Sequence, residues 1–368
     1  MILRLILCLI SFSVWADEEP SKPNLLIDEI PSKINLLAWE GYVSQVDVEN
    51  INTLLKNQGY NYQVELYPQN AENAEQVYYL FRLREVDIGF ITLSFFNGHG
   101  LNFFKLLQPN NIDSPRLTHY QNLVKRFVEA PDGILNEQRY YVPFGLGIYG
   151  FYLNRTHYPD LISPTSVSDL FTESYRGLFS LCISQPIYNL AVVLKSLKYP
   201  PSILEDMIKN GERSEFIKLM NKDSVISNKL QSLYRQAGEF WYESPNLRQQ
   251  KIAIVSSWGP EIGISRKAGI QWEKINFIEG DMAWLDTLAI SGSIKGRKLE
   301  ASEIVINYFI SSDYQNKLLN DLNIYPVIYD EEHNLDTVML PSSSLLINNM
   351  VDSLSTHALA ELNEHKTN

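Results

Sequence analysis

Cysteine is nearly absent from this sequence of 368 residues: Cys8 and Cys182 are the only two. Cys8 lies in a leading segment that reads as a cleaved export signal, so the mature chain keeps one thiol and forms no internal disulfide. A chain of this length does not need one, because it is small domains that bury too little apolar surface to fold without cross-links. Cys182, inside Leu181-Cys182-Ile183, reads as a buried strand residue. Histidine is also scarce. The six present, His99, His119, His157, His333, His357 and His365, show no metal-ligand spacing, and Ser342-Ser343-Ser344 lacks the turn that would make a nucleophile. Neither a cofactor nor an enzyme is therefore expected. Basic residues number 31 against 43 acidic ones, for a net charge of −12. That balance argues against nucleic acid and anionic membrane surfaces, and it favours cationic ligands.

Long apolar runs are missing beyond the N-terminus. Met1-Ile2-Leu3-Arg4, an apolar stretch to Val14, and Trp15-Ala16 ahead of Asp17-Glu18-Glu19 have the three-part pattern of a secretory signal. Residues 1–16 are thus expected to be removed and the protein to be exported. Residues 17–33 read as an acidic leader. No later window approaches the length of a membrane-crossing helix.

What the chain does have is aromatic side chains, 12% of it, and among its six tryptophans two short tryptophan-to-acid segments stand out. These are Trp258-Gly259-Pro260-Glu261 and Trp284-Leu285-Asp286. An indole face attracts a cation through its quadrupole and covers an aliphatic chain, while a carboxylate offers charge-assisted hydrogen bonds to an ammonium group. A flexible organic amine suits that pairing. A tryptophan in an apolar strand is more often core, so the pairs gain meaning only from their context.

Strand-like and helix-like segments alternate. Ile34 to Ala38, Tyr62 to Tyr67 and Ile88 to Thr92 read as strands, separated by helical spacing over Val48 to Asn57 and Ala74 to Arg84. The alternation resumes with strands over Ile148 to Leu153, Leu178 to Ile183 and Ile252 to Ser256, and a helix over Asn189 to Leu197. From Leu299 to Asn323 two helices are expected, broken near Ser311-Ser312. This order implies an α/β fold with a mostly parallel sheet covered on both faces. Gly145-Leu146-Gly147-Ile148-Tyr149-Gly150 has the spacing of a dinucleotide fingerprint, but strand-like Phe151-Tyr152-Leu153 follows where a helix must begin. Those glycines read instead as bends where the chain crosses between lobes. Asn154-Arg155-Thr156 fits a glycosylation sequon, a match this length produces by chance.

In chain order, Leu37-Ala38-Trp39-Glu40-Gly41-Tyr42-Val43, Val86-Asp87 through Thr92, Tyr141-Val142-Pro143-Phe144-Gly145-Leu146-Gly147, Ser168-Asp169-Leu170 with Tyr175-Arg176-Gly177, Trp258, Arg266 to Gly269, Glu279 through Trp284-Leu285-Asp286 to Ile290, and Ile324-Tyr325-Pro326 resemble the spermidine/putrescine-binding periplasmic proteins of ABC uptake systems. The resemblance spans about residues 34 to 330. It implies a two-lobed solute-binding protein of type II-like topology, with a ligand cleft between lobes and several hinge crossings. Lobe 1 would comprise residues 34–142 and 287–330, and lobe 2 residues 143–286 and 331–368. It further implies that Trp39, Tyr42, Trp258, Trp284 and Tyr325 form an aromatic box, with Thr92 supplying a hydroxyl and Glu261 and Asp286 holding amino groups.

The chain departs from that pattern in two places. Gln185 and Tyr188 stand where the family usually has acids, and Gly41 stands where an acid often flanks the first tryptophan, beside Glu40. An altered amine spacing or a ligand other than spermidine is the expectation. Some relatives report their ligand state to a membrane receptor, among them a norspermidine sensor linked to biofilm control. The expected partners are therefore a linear polyamine and either an inner-membrane permease or the periplasmic domain of such a receptor, bound by a monomer. The competing readings are a receptor for a neutral or anionic solute and an exported enzyme on the same scaffold.

Overall fold

The apolar run near residue 34 forms strand β1 (Ser32–Leu37), and a capping box then starts helix α1 (Gln45–Asn57). The Ser44 hydroxyl accepts the Asp47 amide while the Asp47 carboxylate accepts the Ser44 amide, satisfying donors that a helix start leaves free. Val48, Ile51 and Leu55 recur at helical spacing and are buried. Strand β2 (Tyr62–Leu66), helix α2 (Ala74–Arg82) and strand β3 (Ile88–Thr92) follow. The computed structural model describes residues 31–96, 100–200, 202–248, 251–328 and 344–367. The expected signal segment, nearly all of the leader, His99, His333 and Ser342-Ser343 lie outside the described residues, and so does the side chain of His365.

Short helix α3 (Lys125–Val128) and the hairpin of β4 (Ile134–Leu135) and β5 (Gln138–Arg139) lead into β6 (Val142–Asn154), whose 13 residues are all buried. Beyond it come β7 (Ser180–Cys182), α4 (Ile187–Ser196), α5 (Ile203–Lys209), α6 (Arg213–Leu219), α7 (Val225–Gln236), β8 (Glu239–Trp241), β9 (Ile254–Ser257), α8 (Pro260–Lys267) and β10 (Trp272–Lys274). The chain then returns along β11 (Met282–Ile290) to α9 (Gly296–Phe309), α10 (Ser312–Leu322), β12 (Tyr325–Pro326) and α11 (Leu345–Thr367). The break expected near Ser311 is there, and the Ser311 hydroxyl caps α10 by accepting the Tyr314 amide.

The main sheet runs β10-β6-β11-β3-β1-β2, with β9 and β12 also paired to β6. Over its first half β6 is flanked by β11 and β12, and over its second half by β9 and β10. This one strand therefore joins two halves of the fold. The expectation of a mostly parallel sheet is corrected: β1 pairs in parallel with β2 and β3, but every partner of β6 is antiparallel, as is β11 on β3. A helix between adjacent strands enforces the parallel direction, whereas β6 and β11 are reached by long excursions that leave direction free.

The glycine reading is corrected as well. None of Gly145, Gly147 and Gly150 has a positive φ, and β6 runs through them without a break. They make room for side chains. A Cβ at Gly147 would lie 1.9 Å from the Trp284 ring, and one at Gly145 would lie 2.5 Å from Ile324.

In the second half, β7 and β8 pair in parallel and α4 lies beneath α7 and α11. Residues Tyr188 to Lys195 of α4 are consecutively buried, which requires cover on every side of the helix. The α11 residues Ile347, Val351, Leu354 and Ala358 supply part of that cover. Cys182 is buried in β7, as expected. Among the described residues no helix is long and apolar enough to cross a membrane.

Candidate functional site

Five strand ends carry side chains that matter here. Trp39 follows β1, Thr92 closes β3, Gln185 follows β7, Trp241 closes β8, and Trp258 follows β9. A crevice beyond the carboxyl ends of strands is where sheets of this kind receive ligands. Trp284 and Asp286 reach the same region from the side, because alternation along β11 puts both on one face. The pairings of β11 with β6 and β3 set Trp284 opposite Gly147, and Asp286 between Gly145 and Thr92.

Asp286 is the centre of this face and only 2% exposed. One of its oxygens accepts the Tyr42 hydroxyl at 2.6 Å, and the other accepts the Thr92 hydroxyl at 2.6 Å. Burial raises its carboxyl from the ordinary 3.8 to about 6, against the lowering effect of those two hydrogen bonds. The Tyr42 ring is held between Phe90 and Phe144, with centroids at 5.5 and 5.3 Å, and its backbone carbonyl accepts the Tyr314 hydroxyl. The hydroxyl on Asp286 is thus fixed by core packing.

Glu261 arrives by a different route. Gly259, at φ +110°, turns the chain into α8, and Pro260 opens the helix, which places Glu261 in its first turn. Its carboxylate accepts the Ser257 hydroxyl at 2.8 Å. Burial raises its pKa, and the charge of Glu40 adds to that, while Ser257 and the local amides oppose it. Glu40 itself is exposed on the turn after β1.

The aromatic members split into two groups. Trp258 lies 4.9 Å from Tyr149, 5.0 Å from Tyr188 and 5.8 Å from Trp241, centroid to centroid. Trp39 packs edge-on against Phe95 at 6.2 Å, and Tyr325 sits on the far edge of β6, paired with Leu146. The groups share one electrostatic environment. Burial pushes the Tyr188 phenol well above its usual value and the Asp286 charge adds to that. Burial does the same to Tyr42, with smaller contributions from Asp286 and Glu261.

Trp39, Glu40, Thr92, Gln185, Trp258, Glu261 and Tyr325 are open or partly open to solvent, whereas Tyr42, Tyr188, Trp284 and Asp286 form a buried floor. Among the described residues no lysine, arginine or histidine forms an ion pair with Asp286 or Glu261. The reading of the sequence missed Tyr149, Trp241, Phe144 and Ser257. Alternation along β6 carries Tyr149 onto the face of Gly145 and Gly147, so a period-two count from the glycines would have found it. Phe144 sits where the β11 register shifts between Asp286 and Thr287, an irregularity with no sequence signal.

Burial and charge thus couple Tyr42, Tyr188, Glu261 and Asp286 into one electrostatic environment, with aromatic rings packed around it. The chain belongs to the bacterial extracellular solute-binding proteins, whose family model matches residues 97–346, more than half of it. That is a family of binding proteins. No curated relative matches the sequence. Among solved structures it is similar to the spermidine/putrescine ABC transporter substrate-binding protein PotD of Streptococcus pneumoniae, with 15% identity and a TM-score of 0.65 over 89% of this chain and 99% of that one. It is also similar to the periplasmic binding protein MotA of A. tumefaciens in complex with glucopine, with 14% identity and a TM-score of 0.57 over 89% and 97%. The GacH receptor of Streptomyces glaucescens, solved with acarbose, gives 12% and 0.65 over 90% and 94%. These likenesses establish the two-lobed α/β fold.

Proposed function

We propose that this protein is a periplasmic receptor that closes on a linear polyamine of the putrescine, spermidine or norspermidine class. One observation carries the reading. Asp286 is fully buried and Glu261 partly so, burial raises the pKa of both, and among the described residues no cation is paired with either, while Trp284 and Trp258 lie two and three residues away along the chain. An ionised carboxylate in such a place costs free energy until an opposite charge arrives. An ammonium group supplies that charge, and methylenes between the nitrogens fit against Trp39, Trp258 and Trp284. Gln185 and Tyr188 add neutral acceptors, which favours a ligand whose nitrogens gather toward Asp286 and Glu261.

In this reading residues 34–142 with 287–330 form one jaw, and residues 143–286 with 331–368 form the other. Closure expels water and strengthens each charged contact. The closed form is then read by a membrane partner, either a permease in uptake or the periplasmic domain of a signalling receptor. Both uses need the same equilibrium and differ only in the surface the partner reads.

Titration calorimetry of refolded, amine-free protein with putrescine, spermidine and norspermidine tests the proposal. Saturable binding of one of them is expected, and no heat from any of the three defeats it.

A further inference from the structure

Lys195 is 4% exposed, in the last turn of α4. Its ammonium makes three hydrogen bonds, all to consecutive backbone carbonyls: Glu279 at 3.0 Å, Gly280 at 2.6 Å and Asp281 at 2.9 Å. These use every N–H it has. Among the described residues no carboxylate pairs with it directly. The Glu279 side chain is engaged by the Ser166 hydroxyl and the Val167 amide, and that of Asp281 by Lys274 at 2.6 Å. A buried ammonium without a carboxylate is an expensive way to fill space, and an apolar side chain would serve packing better. What Lys195 accomplishes is geometric. It fixes three successive peptide planes in a turn where Gly280 adopts φ +78°.

That turn is the entry to β11. Met282 follows it directly, Trp284 and Asp286 come two and four residues later, and β11 is buried throughout. The other end of the same helix carries Tyr188, seven residues or two turns before Lys195 and so on the same face. The start of α4 is held by a separate polar chain: the Asn189 amide donates to the Cys182 carbonyl at 2.6 Å and to the Tyr234 hydroxyl at 3.2 Å, and Tyr234 meets Ser355 of α11 at 2.7 Å. The helix is thereby pinned at both ends, between the corner that presents Tyr188 and the turn that launches Trp284 and Asp286.

We infer that Lys195 is a positioning residue for the amine site, setting the height of Trp284 and Asp286 against Tyr188 through the carbonyls of residues 279–281. This rests on the proposed polyamine reading for its ligand, though not for its geometry. Burial pulls the lysine down from 10.5 to about 8, against the charges of Asp281 and Glu279, so it remains mostly protonated at neutral pH.

The test compares Lys195→Met, Gly280→Ala and a control, Arg116→Met, which breaks the 2.6 Å ion pair with Glu303 of α9 and involves neither α4 nor the turn. Melting temperature, calorimetric affinity for spermidine and norspermidine, and amide hydrogen exchange over residues 281–287 are measured on the full-length mature chain. Lys195→Met and Gly280→Ala are expected to weaken binding about tenfold, the scale on which misplaced contacts act. They should also speed exchange at the start of β11, whereas Arg116→Met lowers the melting temperature and leaves both unchanged. Should Lys195→Met fail to fold, Gly280→Ala decides alone. Unchanged affinity with faster exchange, or equal loss in the Arg116→Met control, overturns the inference. If wild-type protein binds no amine, the polyamine reading falls, and exchange over residues 281–287 still decides whether Lys195 holds β11.

Discussion

Asp286 and Lys195 are two charges driven below the surface of one protein, and their surroundings treat them differently. The lysine meets three carbonyls and has no donor left to offer, so its hydrogen-bonding is complete within the chain. The aspartate meets two hydroxyls and no cation, so its hydrogen bonds are partly met while its charge is not. Burial displaces both toward neutrality, down to about 8 for the base and up to about 6 for the acid. A buried charge with filled valence belongs to the architecture. In the proposed reading, one with unmet charge is where a ligand completes the structure.

Removing the unmet charge is the most direct way to break the contrast. Asp286→Asn is expected to weaken amine binding by about 2 kcal/mol, or roughly thirtyfold, the value of a charge-assisted hydrogen bond. Calorimetry measures this, and a neutral solute would bind the variant as it binds wild type. Next in size is Gly147→Ala. Its new methyl would collide with the Trp284 ring at 1.9 Å, so the indole must leave the floor, at a cost of about 1–3 kcal/mol in stability together with a loss of affinity. Thermal melts and tryptophan emission report both effects.

The pH dependence sharpens the comparison. The folded-state pKa of Asp286 lies above its unfolded value, so its contribution favours the ligand-free fold below about pH 4 and is lost as pH rises through about 6. Melts of the ligand-free protein should lose stability over that window, and Asp286→Asn should flatten the slope. Amine affinity has the opposite sign. It should fall about tenfold per unit below pH 6, as protonation removes the charge the ligand needs. The smallest expected effect belongs to Tyr42→Phe, which removes one hydroxyl from Asp286. About 1 kcal/mol of stability should be lost, because the aromatic packing around the ring stays intact.

Much of this was legible in the residues, for identifiable reasons. Helices α1 and α10 were readable because apolar spacing, and for α10 the break near Ser311-Ser312, are local signals. Trp284 and Asp286 share a face because strands alternate, a rule that needs no coordinates. Strand direction was not legible, since β6 and β11 find their neighbours across long excursions. The role of Gly147 was hidden for the same reason: its partner Trp284 lies 137 positions away in sequence yet directly opposite in the sheet. Nothing local distinguishes Lys195 from a surface lysine, because the carbonyls that hold it come from another element. The division of the eleven residues named from the sequence into solvent-open and buried members came only from packing.

Proton release on binding tests the central claim most directly. Calorimetry of wild-type protein with norspermidine or spermidine at pH 6, repeated in buffers of different ionisation enthalpy, counts protons expelled as the amine enters. An acid poised at about 6 should release about half a proton per site, and Asp286→Asn should lose that release along with affinity. Tight amine binding with no proton release, or the same release from the variant, would contradict the claim that an ammonium neutralises Asp286.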